Sequence, residues 1–231
     1  MREIVLDTET TGLDARGGDR IIEIGCLELI NRAVTGESFH HYINPEREVP
    51  AEAEAIHGIS TAHLAGKPLF GEIVAEMEAF FGDARLVIHN ASFDLGFLNA
   101  EFERLGHPLI DTARAIDTLQ MARRKFPGAP ASLDALCKHF GIDNSARTHH
   151  GALLDAALLA DVYVELVGGR QAGLNLAETT AAELVTTAAR GTRQPRSPRS
   201  HAASANELAA HDAFIEALKK PVWRRNCLAI S

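Results

Sequence analysis

Asp7-Thr8-Glu9-Thr10-Thr11-Gly12-Leu13 follows the apolar run Ile4-Val5-Leu6 near the start of the chain. The run reads as a buried strand over about residues 2–7. Successive strand side chains point to opposite faces, so Asp7 and Glu9 share one face and Thr8 points away. Two carboxylates side by side at the end of a buried strand repel each other and lose hydration. Hard divalent cations relieve both costs, because Mg²⁺ prefers carboxylate oxygens. Taken alone, the pair is equally explained by a polar strand end running into a turn.

Working outward, the chain has 231 residues with 46% hydrophobic content, enough for one sizeable core and an appendage. Cys26, Cys137 and Cys227 are far apart and match no zinc spacing, which points to a reducing compartment without a disulfide framework. No signal peptide and no membrane-length apolar stretch is expected, so the default is a soluble cytoplasmic protein. The net charge is −8. Residues 177–231 hold eight Lys/Arg and five Asp/Glu, a net +3, which leaves −11 on residues 1–176. An acidic body is a poor stand-alone binder of nucleic acid, so metals or a partner must supply part of any attraction to DNA or RNA.

Residues 20–30 and 34–43 read as two further strands joined through Asn31-Arg32-Ala33, a hairpin ended by Asn44-Pro45. A short helical turn is expected over 52–57. A helix over 71–81 carries Ile73, Val74, Met77, Phe80 and Phe81 at helical spacing. Leu86-Val87-Ile88 reads as a buried strand that delivers His89-Asn90-Ala91-Ser92-Phe93-Asp94, and a helix then runs to about residue 105. Residues 114–117 suggest a last short strand. Helices follow over 118–126 and 132–140, split by Pro127-Gly128-Ala129-Pro130, and an apolar helix runs over 151–167. Strands first and interleaved helices later argue for an α/β layer fold with a mixed central sheet flanked by helices.

Two more acids sit where such a fold places a site. Asp94 follows the strand at 86–88, and Asp155 lies early in an apolar helix with His150 five residues before it. On one continuous helix that spacing would separate the pair by about 140°, but if the helix starts near Gly151, His150 sits on the loop ahead of it and can swing over the site. The order is specific: Asp-x-Glu on the first strand, Asn-x-x-Phe-Asp after a later strand, and His-x-x-x-x-Asp at the last helix. In these three motifs the chain resembles the DEDD 3′→5′ exonuclease superfamily, in its His-containing branch, over about residues 2–168.

The resemblance implies a ribonuclease-H-like exonuclease fold and two divalent metal ions, Mg²⁺ or Mn²⁺, gathered by Asp7, Glu9, Asp94 and Asp155. Two such ions stabilise the attacking and leaving oxygens of an in-line displacement at phosphorus. By the same resemblance His150 is the general base, a task suited to histidine side chains in general. Asp7, Thr8, Glu9, Thr10, Gly12 and Leu13 match the stretch that holds the terminal nucleotide. Glu52, Ile56 and His57 resemble the segment against the 3′-terminal sugar and base. Asn90 and Phe93 match strand-contacting positions, and Asp155 also belongs to the substrate set.

Beyond this exonuclease domain, taken as 1–170, the chain resembles the tail of the epsilon, or proofreading, subunits of bacterial DNA polymerase III. Residues 171–176 contain Gln171, Leu174 and Leu176, which look like a Gln-x-x-Leu-x-Leu peptide for the beta sliding clamp. Residues 177–203 are basic, Pro-containing and without apolar periodicity, and read as a flexible linker. Residues 204–231 carry an amphipathic helix with Leu208, Phe214 and Leu218, followed by Trp223, the only Trp. By resemblance this segment binds the polymerase alpha subunit, and the linker acts as a tether that raises local concentration. The implied job is excision of mismatched 3′-terminal nucleotides at a single-stranded or frayed DNA 3′ end, within a nucleoid-associated replisome. The alternatives are a stand-alone exonuclease in RNA processing or DNA repair, and a non-catalytic polymerase–clamp subunit, which the intact acidic set argues against.

Overall fold

The structure, a computed structural model, describes residues 1–145, 147, 149–169 and 203–218. The chain divides into two units, Met1–Asn175 and Leu176–Ser231. The residues named above for clamp binding, Gln171, Leu174 and Leu176, lie outside the described residues, as does Trp223.

The first unit is built on a five-stranded sheet in the order β3-β2-β1-β4-β5. Its strands are β1 (Arg2–Thr10), β2 (Ile21–Ile30), β3 (Ala33–Tyr42), β4 (Arg85–Ile88) and β5 (Ala115–Asp117). The first three form an antiparallel meander, while β4 and β5 run parallel to β1, so the sheet is mixed. The parallel joins need crossovers, and helices supply them. These are α1 (Ala51–His57), α2 (Thr61–Leu64) and α3 (Phe70–Phe81) before β4, and α4 (Ala91–Leu105) between β4 and β5, while α5 (Thr118–Lys125), α6 (Leu133–Phe140) and α7 (Ala152–Leu166) follow β5.

Strand alternation sorts the core into two layers. Ile4 and Leu6 of β1 pack with Cys26 of β2 and with Met77, Leu98 and Phe102 of α3 and α4. Val5 packs on the other face with Leu29, Leu136, Leu159 and Val162, under α6 and α7. Asp7 and Glu9 continue the α7 face, and Thr8 continues the α4 face.

Helix α7 lies close to the sheet because Ala152, Ala156 and Ala160 recur at a spacing of four and are all buried. The approach is closest at Gly25, where any Cβ would overlap the backbone of Ala152 and Leu153. Strand carboxylates meet this helix along its length. The Tyr163 hydroxyl donates to Glu3 Oε1 (2.7 Å), and the Ala152 N–H donates to Glu23 Oε2 (3.1 Å).

Strand β1 runs three residues beyond its expected end, because β2 pairs with it as far as Thr10. Asp7 and Glu9 therefore stand within a paired strand. Helix α2 has four residues, too few to show a periodicity. In the second unit, α8 (Ala205–Ala217) starts at Ser204, whose side chain accepts from the Glu207 N–H while Glu207 reaches back to the Ser204 N–H. This reciprocal cap fixes the helix start.

Candidate active site

The site forms where β1 outruns β4. Strand β4 stops at Ile88, and Asn90 takes a left-handed conformation (φ 68°) that turns the chain straight into α4. Asn is among the few residues that adopt it readily. The turn puts Asp94 in the first turn of α4, where the helix dipole favours a carboxylate. Asp94 is buried, and the Thr8 hydroxyl donates to its Oδ1 at 2.7 Å. Thr8 thus points away from Asp7 and Glu9, as alternation requires, and in doing so anchors the third acid.

The fourth acid comes from the opposite layer. Asp155, also buried, sits in the first turn of α7 over the face that bears Asp7 and Glu9. His150 precedes the helix, whose N-terminal flanking residue is Gly151. Its backbone N–H donates to Ile56 O at the end of α1 (3.2 Å), and its ring Nδ1 lies 3.5 Å from Asp155 Oδ2. One potential ligand atom each from Glu9, His150 and Asp155 fall within 4.8 Å of one another, which fits a metal ion. Carboxylate oxygens with a single imidazole suit hard divalent cations.

The electrostatics show what the acids lack. Burial drives Asp7 well above the usual carboxylate range, with Asp94, Glu9 and Asp155 adding repulsion. Burial, with Asp155 and Glu23, pushes Glu9 up to about 8. Burial pushes Asp94 up to about 7, against the opposing bond from Thr8. A cluster that holds protons this tightly has too little positive charge nearby, and bound cations would supply it.

Positive charge in contact with the acids comes from Arg147, on the loop ahead of α7. Arg147 Nε and Nη2 donate to Asp155 Oδ1 and Oδ2, both at 2.6 Å. Nη1 pairs with Asp134 at 2.8 Å, and Nη2 donates to His150 Nδ1 at 2.9 Å. Burial weakens the Arg147 charge, but the bonds to Asp155 and Asp134 outweigh that and hold its pKa above the ordinary value.

A cleft of about 710 Å³ opens over these groups, walled by His89, Asn90, Phe93, Arg123 and the segment Ala129–Asp134. Asn90 and Phe93 thus share it with the acids. Of the other residues expected at substrate, Thr10, Gly12, Leu13, Glu52, Ile56 and His57 do not line it. The Thr10 hydroxyl donates to Gly12 O, while Leu13 and Ile56 are exposed. His57 is buried, and its Nδ1 accepts from the Ile59 N–H. A hollow of about 790 Å³ at the other end of the sheet, near Met1, Arg32 and Val34, brings together no such acids.

Comparison with known proteins agrees with this geometry. The exonuclease family profile matches residues 4–163. The DNA polymerase III subunit epsilon of Rickettsia conorii is 55% identical over 184 residues, 78% of this chain and 80% of that one. The subunit of the same name from Salmonella typhimurium is 45% identical over 237 residues, 96% of this chain and 97% of that one. Among solved structures, exonuclease X in complex with 5′-overhanging duplex DNA superposes with a TM-score of 0.58 at 29% identity, over 71% of this chain and 90% of that one. The nuclease domain of 3′hExo, a DEDDh family member, shares the fold (TM-score 0.63, 17% identity, 72% and 91% covered). The fold implies a need for divalent metal ions. The chain belongs to the exonuclease family, among the epsilon subunits of bacterial DNA polymerase III.

Proposed function

We propose that this 3′→5′ exonuclease proofreads for the bacterial replicative polymerase, removing mismatched 3′-terminal nucleotides as nucleoside monophosphates. Asp7, Glu9, Asp94 and Asp155 hold two divalent ions, Mg²⁺ or Mn²⁺, and His150 takes the proton from the attacking water. The observation that carries this reading is the convergence of four acids from β1, α4 and α7 under one cleft, with His150 beside Asp155.

Each residue has a task that follows from its place. The bound ions would supply Lewis-acid stabilisation at phosphorus. Thr8 fixes the Asp94 carboxylate. Arg147 and His150 line the cleft beside Asp155, where their positive charge would face a phosphate. His150 can accept a proton only through a ring nitrogen whose lone pair is free, so the Arg147–Nδ1 bond must open or the other nitrogen must serve. Asn90 and Phe93 contact the substrate strand in the cleft, and Thr8 with the adjoining stretch Thr10–Leu13, which lies beyond the cleft wall, would hold the terminal nucleotide. Glu52, Ile56 and His57 flank the site through the Ile56–His150 bond. Preference for mispairs needs no base reading, because a mismatched end unpairs at lower cost and reaches the cleft as a single strand.

The tail would hold this acidic domain at the replisome in the bacterial cytoplasm. Residues 171–176 present Gln171, Leu174 and Leu176 to the beta clamp, residues 177–203 link, and residues 204–231 bind the alpha subunit. Leu208 and Phe214 on α8 are 54% and 63% exposed, about 120° apart around the helix, so they offer separate apolar contacts to a partner and not one stripe. The test is capture of the alpha subunit by the full chain and by a chain ending at Gly173, with digestion of a 3′-mismatched primer assayed beside it. Binding lost on truncation with digestion kept supports a tethered proofreader. Digestion without capture by either chain assigns the enzyme to RNA processing or repair.

A further inference from the structure

Glu23 is a further buried carboxylate beside Glu9, Asp94 and Asp155, and it does not line the cleft. It stands directly opposite Glu9 in the β1–β2 register, on the α7 face. Like charges facing each other across strands are destabilising, so the position calls for a compensating role. Both of its oxygens are engaged. Oε1 is 2.7 Å from His40 Nε2, and Oε2 accepts from the Ala152 N–H.

Ala152 is the first residue of α7. The flanking residue, Gly151, has no side chain with which to cap the helix. The first N–H groups of a helix have no partner within it, so an acceptor must come from elsewhere. Glu23 therefore supplies from β2 the acceptor that the helix lacks. Two residues along the same strand face, Gly25 lets the backbone of Ala152 and Leu153 rest directly on β2. His150 is tied to Ile56 just before this point, and Asp155 follows one turn later.

We propose that Glu23 is a positioning residue for the exonuclease reaction. By capping α7 from the sheet it sets where His150 and Asp155 stand relative to Glu9, without touching metal or substrate. The Glu3–Tyr163 bond fastens the far end of the same helix, but only the Glu23 contact lies in the turn that carries the chemistry. This role rests on the assignment of Asp155 and His150 given above. It predicts that reach and acceptor character matter at position 23, and that negative charge does not.

The experiment compares Glu23→Ala, Glu23→Gln and Glu23→Asp in the full chain, with digestion of a 3′-mismatched primer at saturating Mg²⁺ and amide hydrogen exchange at residues 152–155. Gln keeps the reach and an acceptor oxygen, whereas Asp keeps the charge and loses a methylene. Glu23→Ala should lower kcat by about 10–100-fold, the usual effect of losing a residue that orients a metal ligand, with KM nearly unchanged and faster exchange at Ala152. Glu23→Gln should restore most of kcat, and Glu23→Asp should not. Should Glu23→Ala fail to fold, the Gln-versus-Asp comparison decides alone. Full activity in Glu23→Asp with loss in Glu23→Gln, or wild-type kcat in all three, overturns the proposal. An Asp155→Asn control separates the two levels. If that variant digests normally the site assignment itself fails, whereas its loss with unaffected Glu23 variants sinks only the positioning role.

Discussion

Arg147 and Asp155 are joined by two hydrogen bonds of 2.6 Å, a bidentate pair at the centre of the site. The guanidinium side chain is 8% exposed and the carboxylate 3%. Removing one partner of a buried pair leaves the other uncompensated, at a cost of about 3–5 kcal/mol. Arg147→Ala should therefore destabilise the metal-free protein by about that much. Saturating Mg²⁺ should recover a large part, because a cation again faces Asp155. Urea unfolding in EDTA and in Mg²⁺ measures both, and an equal loss in the two conditions contradicts the shared position.

The raised carboxylates give the metal-free protein an inverted pH profile. Glu9 moves from 4.5 to about 8 on folding and Asp94 from 3.8 to about 7. Across that window the folded state binds more protons than the unfolded state, so stability falls as pH rises. The contribution is fully present below about pH 4 and gone above about pH 8. Denaturant midpoints in EDTA from pH 5 to pH 8.5 should decline steadily. Metal binding must expel these protons, so apparent Mg²⁺ affinity should climb over the same range. Calorimetry in buffers of different ionisation heat reads the proton release directly.

Thr8→Val removes the hydroxyl that holds Asp94 while nearly preserving shape. Metal affinity should weaken by about 10–100-fold. Loss of the bond should also push the Asp94 carboxyl further up. Mn²⁺ titration followed by electron paramagnetic resonance tests this, and unchanged affinity would mean that the α4 backbone alone orients Asp94.

Gly25→Ala drives a methyl group into the first turn of α7. Backbone cannot yield as a side-chain tip does, so a cost at or above the about 1–3 kcal/mol of overpacking is expected. Because the displaced turn carries Asp155, activity should drop in the fraction that remains folded. Thermal unfolding and primer digestion at a temperature where the variant is folded separate the two effects.

Much of this site is visible in the sequence because alternation and helix spacing report faces directly. Asp7 and Glu9 share a face in a strand whatever its partners, and the apolar run Leu86–Ile88 followed by a helix puts Asp94 just past a strand end. The His150–Asp155 spacing brings the two together only if α7 starts near Gly151, as it does. Arg147 leaves no comparable trace, since its contacts join a loop to α6 and α7 and follow no period. Glu23 is hidden for another reason. In Ile21–Ile30 it looks like the polar half of an alternating strand, and only the docking of α7 shows that it is buried. β1 runs past its apolar stretch because pairing with β2, rather than local apolar content, determines its end.

The most direct test of the account is the rate at which Asp7→Ala releases nucleoside monophosphate from a 3′-mismatched primer in Mg²⁺, set against the wild-type chain on matched and mismatched ends. The account predicts faster wild-type release from the mismatch, and a loss of at least about 1,000-fold in the variant, within the several kcal/mol that metal assistance supplies. An Asp7→Ala chain that digests the primer at the wild-type rate would show that the chemistry does not take place on these acids.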